Sequence, residues 1–398
     1  MGKKPLYVAR QNGLLMFASQ PRCFRAHPLF EPRLNRRALA AFLRFGYVPS
    51  PLCMLEGVTQ LRPGEMAIVE ADETYSTRRY WSAQDVAARA KAAPREGDDA
   101  TLLNSLEAEL SRAVARRMVA DVPLGAFLSG GIDSSIVVAL MQALSPKPVK
   151  TFSIGFHVPG FDEAPHARAV AEHLKTDHHE LYLTAEDALA TIPELADHYD
   201  EPFADSSQVP TLLVSRMARR HVTVALSGDG GDELFAGYAR YGQMAKVVDL
   251  VGSAQGVVGT AAGLGHALLT HRFSGPLRAV LPPLLRSRAE RWLARVSRIG
   301  GGGAFEEAYL RMVQQGIDPG TVLAGAEEPV DPIWTGALAQ DFPGVIERCQ
   351  MLDTLSYLPD DILVKVDRAS MGVGLEARAP LLDHELFAFV WSLPERMK

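Results

Sequence analysis

Short apolar stretches separated by turn residues dominate the first eighty positions. Residues 5–9 (Pro-Leu-Tyr-Val-Ala) and 14–18 (Leu-Leu-Met-Phe-Ala) read as strands. Gln11-Asn12-Gly13 between them signals a hairpin, because Asn and Gly accept the positive φ that a tight two-residue turn requires. A short helix is expected over 34–45. Pro49, Pro51, Pro63 and Gly64 punctuate the next stretch, and 66–69 with 77–81 read as a second strand pair. Over 83–100 the composition turns to Ala, Lys, Arg, Pro, Gly and Asp, which predicts a linker.

From residue 102 the period of the pattern lengthens. Helices are expected over 102–118, 134–144, 163–174, 185–199 and 211–220, with apolar strands at 124–128, 149–156, 179–183 and 222–226. Strands alternating with helices of this length imply an α/β fold, a parallel sheet covered on both faces. Residues 243–359 read mainly as helix, with a glycine run at 300–303 and no internal repeat.

Composition narrows the picture modestly. The 398 residues suggest two domains, and 47% apolar with 22% charged is a globular balance. The net charge of −6 argues against generic nucleic-acid binding, which needs a concentrated basic surface. The arginine-rich stretch 286–298 reads as a helix with solvated or locally paired arginines. Cys23, Cys53 and Cys349 are scattered with no disulfide framework, and no secretory signal opens the chain, so a cytoplasmic protein is expected. Residues 247–269 are long enough for a membrane span. They contain Asp249, His266 and several glycines without flanking Trp or Tyr, so buried helix is the expectation and no membrane role is assigned. His173, His178 and His179 lack companion Cys or His and are read as solvated or capping rather than metal-binding.

The chemistry starts at residues 129–135, Ser-Gly-Gly-Ile-Asp-Ser-Ser, which follow an apolar strand and open a helix. Gly130 and Gly131 let the backbone turn sharply and approach a ligand. The hydroxyls of Ser129, Ser134 and Ser135, with free amides at the helix start, can donate to phosphate oxygens. Asp133 would repel phosphate directly; its sensible role is to hold Mg²⁺, since hard cations take carboxylate oxygens. No Gly-Lys-Ser/Thr follows, so this is not the Walker arrangement. A loop without lysine suits a pyrophosphate leaving group, hence ATP binding and activation of a carboxylate as its adenylate. Such a glycine turn also occurs as a plain connection; the strand–loop–helix setting favours the ligand.

Residues 121–135, Asp-Val-Pro-Leu-Gly-Ala-Phe-Leu followed by that loop, resemble the ATP-pyrophosphatase superfamily. Within it they are similar to the synthetase domain of glutamine-hydrolysing asparagine synthetases, and the resemblance covers essentially the whole chain. It implies a parallel-sheet ATP-pyrophosphatase domain, adenine nucleotide α-hydrolase-like, with a helical C-terminal part over 101–398. A partial antiparallel-β class II glutaminase remnant would precede it over 1–82.

Other motifs gain roles beside that resemblance. Ligands lie beyond the carboxyl ends of parallel strands, so Leu128, Ser153 and Ile154 can line the adenine, and the family has an apolar adenine contact at position 154. Residues 227–235, Ser-Gly-Asp-Gly-Gly-Asp-Glu-Leu-Phe, again follow a strand and set three carboxylates beside three glycines. The resemblance assigns Ser227 and Gly228 to ATP and Asp232 to metal; position 229, often Glu in the family, is Asp here. Asp205, Ser206 and Ser207 lie in a polar loop that could simply cap a helix, and the resemblance puts that loop near the acceptor carboxylate. Asp361, Lys365 and Arg368 fall at i, i+4 and i+7 among Ile362, Val364 and Val366. Half-buried cations need anions, here the α-phosphate and the departing pyrophosphate. Residues 376–383 resemble the family's Glu-x-Arg-x-Pro-Phe-Leu-Asp, with Leu381 in place of Phe.

The implied reaction adenylates the β-carboxylate of aspartate, releases pyrophosphate, and lets ammonia displace AMP to give asparagine. ATP and Mg²⁺ are the expected cofactors. Expected partners are aspartate or a related carboxylate, ammonia, a separate glutaminase chain, and a second copy in a homodimer. The family's glutaminase nucleophile is an amino-terminal cysteine, whereas Met1-Gly2-Lys3-Lys4-Pro5 resembles the middle of that domain. Glutamine hydrolysis is therefore expected to be lost on this chain, the carboxyl end reads as early, and residues 1–82 are expected to be the least stable part. Rival readings are the same chemistry on a sugar acid or β-lactam-type precursor, and a non-catalytic nucleotide-binding remnant.

Overall fold

In the computed structural model, Asn12 and Gly13 take φ of 53° and 75°, the doubly positive turn that joins a right-twisted hairpin. The hairpin pairs β1 (Tyr7–Gln11) with β2 (Leu14–Ala18), and β3 (Val58–Gln60) completes an antiparallel sheet of order β2-β1-β3. Three-residue β3 is too short to show alternation in the sequence. Tyr7, Ala9, Phe24, Phe30, Cys53 and Leu55 form a small separate core beneath this sheet. On the β2 edge, Phe17 is 73% exposed and Leu15 39%. Helix α1 (Arg36–Phe45) is capped by the Asn35 side chain, which accepts from the amides of Arg37 and Ala38. A two-stranded ribbon, β4 (Glu65–Val69) with β5 (Tyr75–Arg79), follows. The structure describes residues 1–72, 74–158, 160, 162–254, 305–315, 317, 319–325 and 331–398.

The segment read as a linker contains a helix, α2 (Ala83–Ala92), capped by Ser82. Its small residues explain both the misreading and the packing. Ala83 and Ala87, one helical turn apart, are buried in the main core, and preceding Trp81 meets Phe387 edge-on at 5.8 Å. Alanine is the best helix former and lets a helix approach its neighbours closely. Helix α3 (Asp99–Met118), capped by Asp98, follows after residues 93–98.

The central sheet has five parallel strands in the order β10-β9-β6-β7-β8: β6 (Leu124–Phe127), β7 (Lys150–Phe156), β8 (Asp177–Leu183), β9 (Val224–Leu226) and β10 (Glu376–Arg378). Helices α4 (Ile132–Leu144), α5 (Ala164–Leu174) and Gln208–Arg219 make the crossovers between its strands. The chain runs outward from β6 through β7 to β8, then returns to place β9 on the other side of β6. The strand order therefore reverses between β6 and β9, and ligands bind in the crevice beyond strand ends at such a switch point. The C-terminal part is helical, with Val345–Leu355, Leu363–Met371 and His384–Trp391 enclosing Phe342, Leu352 and Trp391. Among the described residues no helix is long and apolar enough to cross a membrane. The arginine-rich stretch, the glycine run and most of 247–269 lie outside the described residues.

A π-turn at Leu358–Ile362 precedes the helix Leu363–Met371. Its buried Asp360 accepts from the Ser50 amide at 3.1 Å, while Oδ1 has no hydrogen-bond partner. Burial pushes this carboxyl up to about 7. A group whose pKa rises on folding stabilises below its unfolded value and loses that contribution as pH climbs through the folded value. Asp360→Asn is therefore expected to raise stability at about pH 8 by roughly 1–3 kcal/mol and to change little at about pH 4. Thermal unfolding of both proteins across that range checks it; equal gains at both ends would contradict it.

Candidate active site

The loops that follow β6 and β9, residues 129–135 and 227–233, meet at the switch point. Their contact is close enough to require glycine. A Cβ on Gly228 would lie 2.8 Å from the Ser134 amide nitrogen, and one on Gly231 2.3 Å from the Asp133 carboxylate. Gly130, at φ 79°, lies against the start of α5, where a Cβ would stand 2.6 Å from the Ala167 nitrogen. Between the loops and the sheet ends opens a cleft of about 750 Å³, within the range of small-molecule sites.

The loop 129–135 is held by its own serines. Ser134 Oγ accepts from the Ser129 amide at 3.2 Å and sits 3.0 Å from Ser129 Oγ; Ser129 Oγ accepts from the Gly131 amide at 3.2 Å. Ser135 Oγ donates to the Gly131 carbonyl at 2.7 Å, bracing the loop from the helix side. Gly131 is the N-cap of α4 and supplies no side chain to its first amides, so this helix start is prepared for an anion.

Three carboxylates face the same space. Burial, then the charges of Asp232 and Asp229, push Asp133 up to about 6. Burial likewise raises Asp232 and Asp229; Ser227 Oγ donates to Asp229 Oδ2 at 2.6 Å. Neither Asp133 nor Asp232 forms an ion pair among the described residues. Mutual repulsion of close acids is what a cation would relieve, and a hard divalent ion suits two carboxylates completed by phosphate oxygens. Among the described residues no cluster of three or more His, Cys, Asp or Glu is assembled for a metal, so such an ion would depend on phosphate.

Lys365 is the cation among the described residues that line the cleft. Its side chain is 11% exposed, and its Nζ donates to Asp205 Oδ2 at 2.7 Å. Burial alone would raise Asp205, but Lys365 and the Ser207 hydroxyl and amide hold its pKa below the usual value. Neighbouring Asp361 is pushed up to about 7 by burial and by Asp205.

The cleft thus gathers Leu128, Ser129, Gly131, Asp133 and Ser134 with Ile154, Ser207, Ser227, Gly228, Asp232 and Lys365. Gly130 and Ser135 support the loop from behind, and Ser206 is exposed outside it. Arg368 is not brought to the cleft. It is buried beside Tyr7 and Glu201 and donates to the Ser19 carbonyl at 2.9 Å. The sequence placed Lys365 and Arg368 on one helix face but could not show that the amino-terminal unit packs against one end of it. Asp229, Glu163 and Thr211 also line the cleft, and sequence reading gave them no role. Asp229 was signalled by its place between two glycines; the other two carried no signal.

The asparagine synthase family model matches residues 105–398, and a glutamine amidotransferase domain model matches 1–81. A Mycobacterium bovis protein provisionally named as a glutamine-hydrolyzing asparagine synthetase is 33% identical over this whole chain. Asparagine synthetase (glutamine-hydrolyzing) 1 of Bacillus subtilis is 28% identical over the whole chain, and amidase chyE of Penicillium rubens 25%. This chain spans 58%, 59% and 60% of those relatives respectively. A match over residues 105–398, which include those that line the cleft, means that the chain belongs to the asparagine synthase family.

Proposed function

We propose that this chain uses ATP to convert a carboxylate, the β-carboxylate of aspartate, into its amide. The observation that carries the reading is the convergence of two carboxylate-bearing glycine loops and Lys365 on one cleft at the switch point. A carboxylate oxygen attacks the α-phosphorus of ATP, the bond to the bridging oxygen breaks, and pyrophosphate leaves. Ammonia then attacks the acyl carbon of the adenylate, AMP departs, and the surplus proton passes to solvent.

The site residues have tasks in that sequence. The amides and hydroxyls of 129–135 bind pyrophosphate, with Gly130 and Gly131 giving the backbone its approach. Leu128, Ile154, Ser227 and Gly228 hold the nucleoside. Asp133 and Asp232 would hold Mg²⁺, which when bound neutralises pyrophosphate charge. Asp205 and Ser207 border the acceptor. Lys365 exchanges Asp205 for the charge that develops on the leaving group, a preorganised donor in a partly dry site. Arg368, held at the Ser19 carbonyl away from the cleft, has no task in that sequence.

The nitrogen donor of this reading is ammonia. Cys53 and Cys349 are buried, and burial pushes both thiols up, the wrong direction for a glutaminase nucleophile; the third cysteine, Cys23, is exposed. A separate glutaminase chain is the proposed natural source, and a cytoplasmic homodimer the proposed setting. Other carboxylates form a second reading, favoured by the likeness to amidase chyE. Product analysis with ATP, Mg²⁺ and aspartate tests the proposal. Ammonium should yield AMP and asparagine, and glutamine should not replace it; ADP as the nucleotide product would overturn the mechanism. ATP binding with no turnover of any carboxylate would leave a nucleotide-binding remnant.

A further inference from the structure

Lys365 is gripped twice by one short stretch of chain. Tyr199 OH donates to the Lys365 carbonyl at 3.1 Å, and Asp205 accepts from its Nζ at 2.7 Å. Between these two residues, the same stretch is fastened to the amino-terminal unit. Glu201 accepts from Tyr7 OH at 3.0 Å through Oε2 and from the Met54 amide at 2.6 Å through Oε1. Asp200 accepts from the Arg22 amide at 3.0 Å and pairs with its guanidinium. Tyr199 stacks on Phe203 at 5.2 Å, which stiffens the turn between the two grips. A half-buried carboxylate with both oxygens satisfied by the amino-terminal unit is an expensive contact to form by chance, since burial disfavours its charge and raises its pKa.

We infer that Glu201 is a positioning residue: through it the amino-terminal unit sets residues 199–205 and hence the place of Lys365 in the cleft. The inference rests on the adenylating role given to Lys365 above. Glu201 itself touches no substrate; it acts through Tyr199 and Asp205.

The test compares Glu201→Ala, Glu201→Gln and Tyr7→Phe in the full chain. Misplacement of a reacting group by about 1 Å can cost a hundredfold in rate. Glu201→Ala should therefore lower the kcat of ATP–pyrophosphate exchange about tenfold or more, with the KM for ATP within about twofold. Glu201→Gln, which keeps a carbonyl acceptor, should recover to within about threefold of wild type. Tyr7→Phe keeps the ring buried and should fall between them, guarding against a Glu201→Ala variant that simply unfolds. Amide hydrogen exchange over 199–207 gives a readout independent of activity and should rise in Glu201→Ala. Exchange kinetics of Glu201→Ala within twofold of wild type would overturn the inference, as would a Gln variant no better than Ala, or unchanged protection over 199–207. If wild type itself shows no pyrophosphate exchange with any carboxylate, the adenylating reading fails. The hydrogen-exchange result still decides whether Glu201 positions the loop.

Discussion

Replacing Lys365 by methionine is expected to lower ATP–pyrophosphate exchange about 10²- to 10³-fold, or ~3–4 kcal/mol of transition-state stabilisation. The size follows from the setting. Lys365 is nearly buried, it faces the cleft that the two loops form, and its ligand-free partner is a carboxylate it can exchange for phosphate. A cation fixed in such a place needs little reorganisation as charge moves onto the leaving group, which is why its removal should act on kcat more than on ATP binding. Methionine keeps most of the apolar stem of the lysine. The change also strands Asp205, whose pKa Lys365 holds down, so some loss of stability should accompany it. Thermal unfolding separates the two effects. Arginine should rescue poorly, because a planar fork does not replace a compact ammonium in a site shaped around one. A methionine variant with kcat within a few-fold of wild type would remove Lys365 from the chemistry.

Gly231→Val should be comparably severe, and for a reason confined to the folded site. A Cβ at Gly231 would fall 2.3 Å from Oδ2 and 2.3 Å from Cγ of Asp133, so any side chain there expels that carboxylate. Gly237 stands in the same relation to Asp232, with a Cβ placed 2.1 Å from Oδ1. The two proposed cation ligands thus each occupy space that a missing side chain leaves open. Gly231 does not need a positive φ, so the backbone accepts valine and the cost falls on the position of Asp133. The expected result is at least a hundredfold loss of exchange, with the Mg²⁺ dependence moved to higher concentration and a near-normal unfolding temperature. An unchanged Mg²⁺ dependence beside full activity would show that Asp133 does not hold the ion.

Much of this arrangement was legible before the fold. Asn12-Gly13, the strands β6, β7, β8 and β9, and both glycine loops could be read because turn chemistry and apolar runs are local properties. The same locality explains what was missed. β3 (Val-Thr-Gln) and β10 (Glu-Ala-Arg) are three residues each with no apolar run to mark them, whereas equally short β9 (Val-Ala-Leu) is wholly apolar. The alanines of α2 looked like linker because their role is to be small against Trp81 and the carboxyl-terminal helices. That the loops at 129–135 and 227–233 touch follows from β9 pairing with β6 across nearly a hundred residues, a non-local fact no periodicity carries. The Lys365–Asp205 pair and the turn of Arg368 toward Ser19 are likewise consequences of packing between distant segments.

The central claim is that this cleft makes an acyl-adenylate from ATP, and exchange of radiolabelled pyrophosphate into ATP measures that step alone. With Mg²⁺ and aspartate present, label should enter ATP without any nitrogen donor, and should fail to enter when the carboxylate is omitted. Absence of exchange with aspartate and with every other carboxylate offered, from a folded protein that binds ATP, would contradict the account.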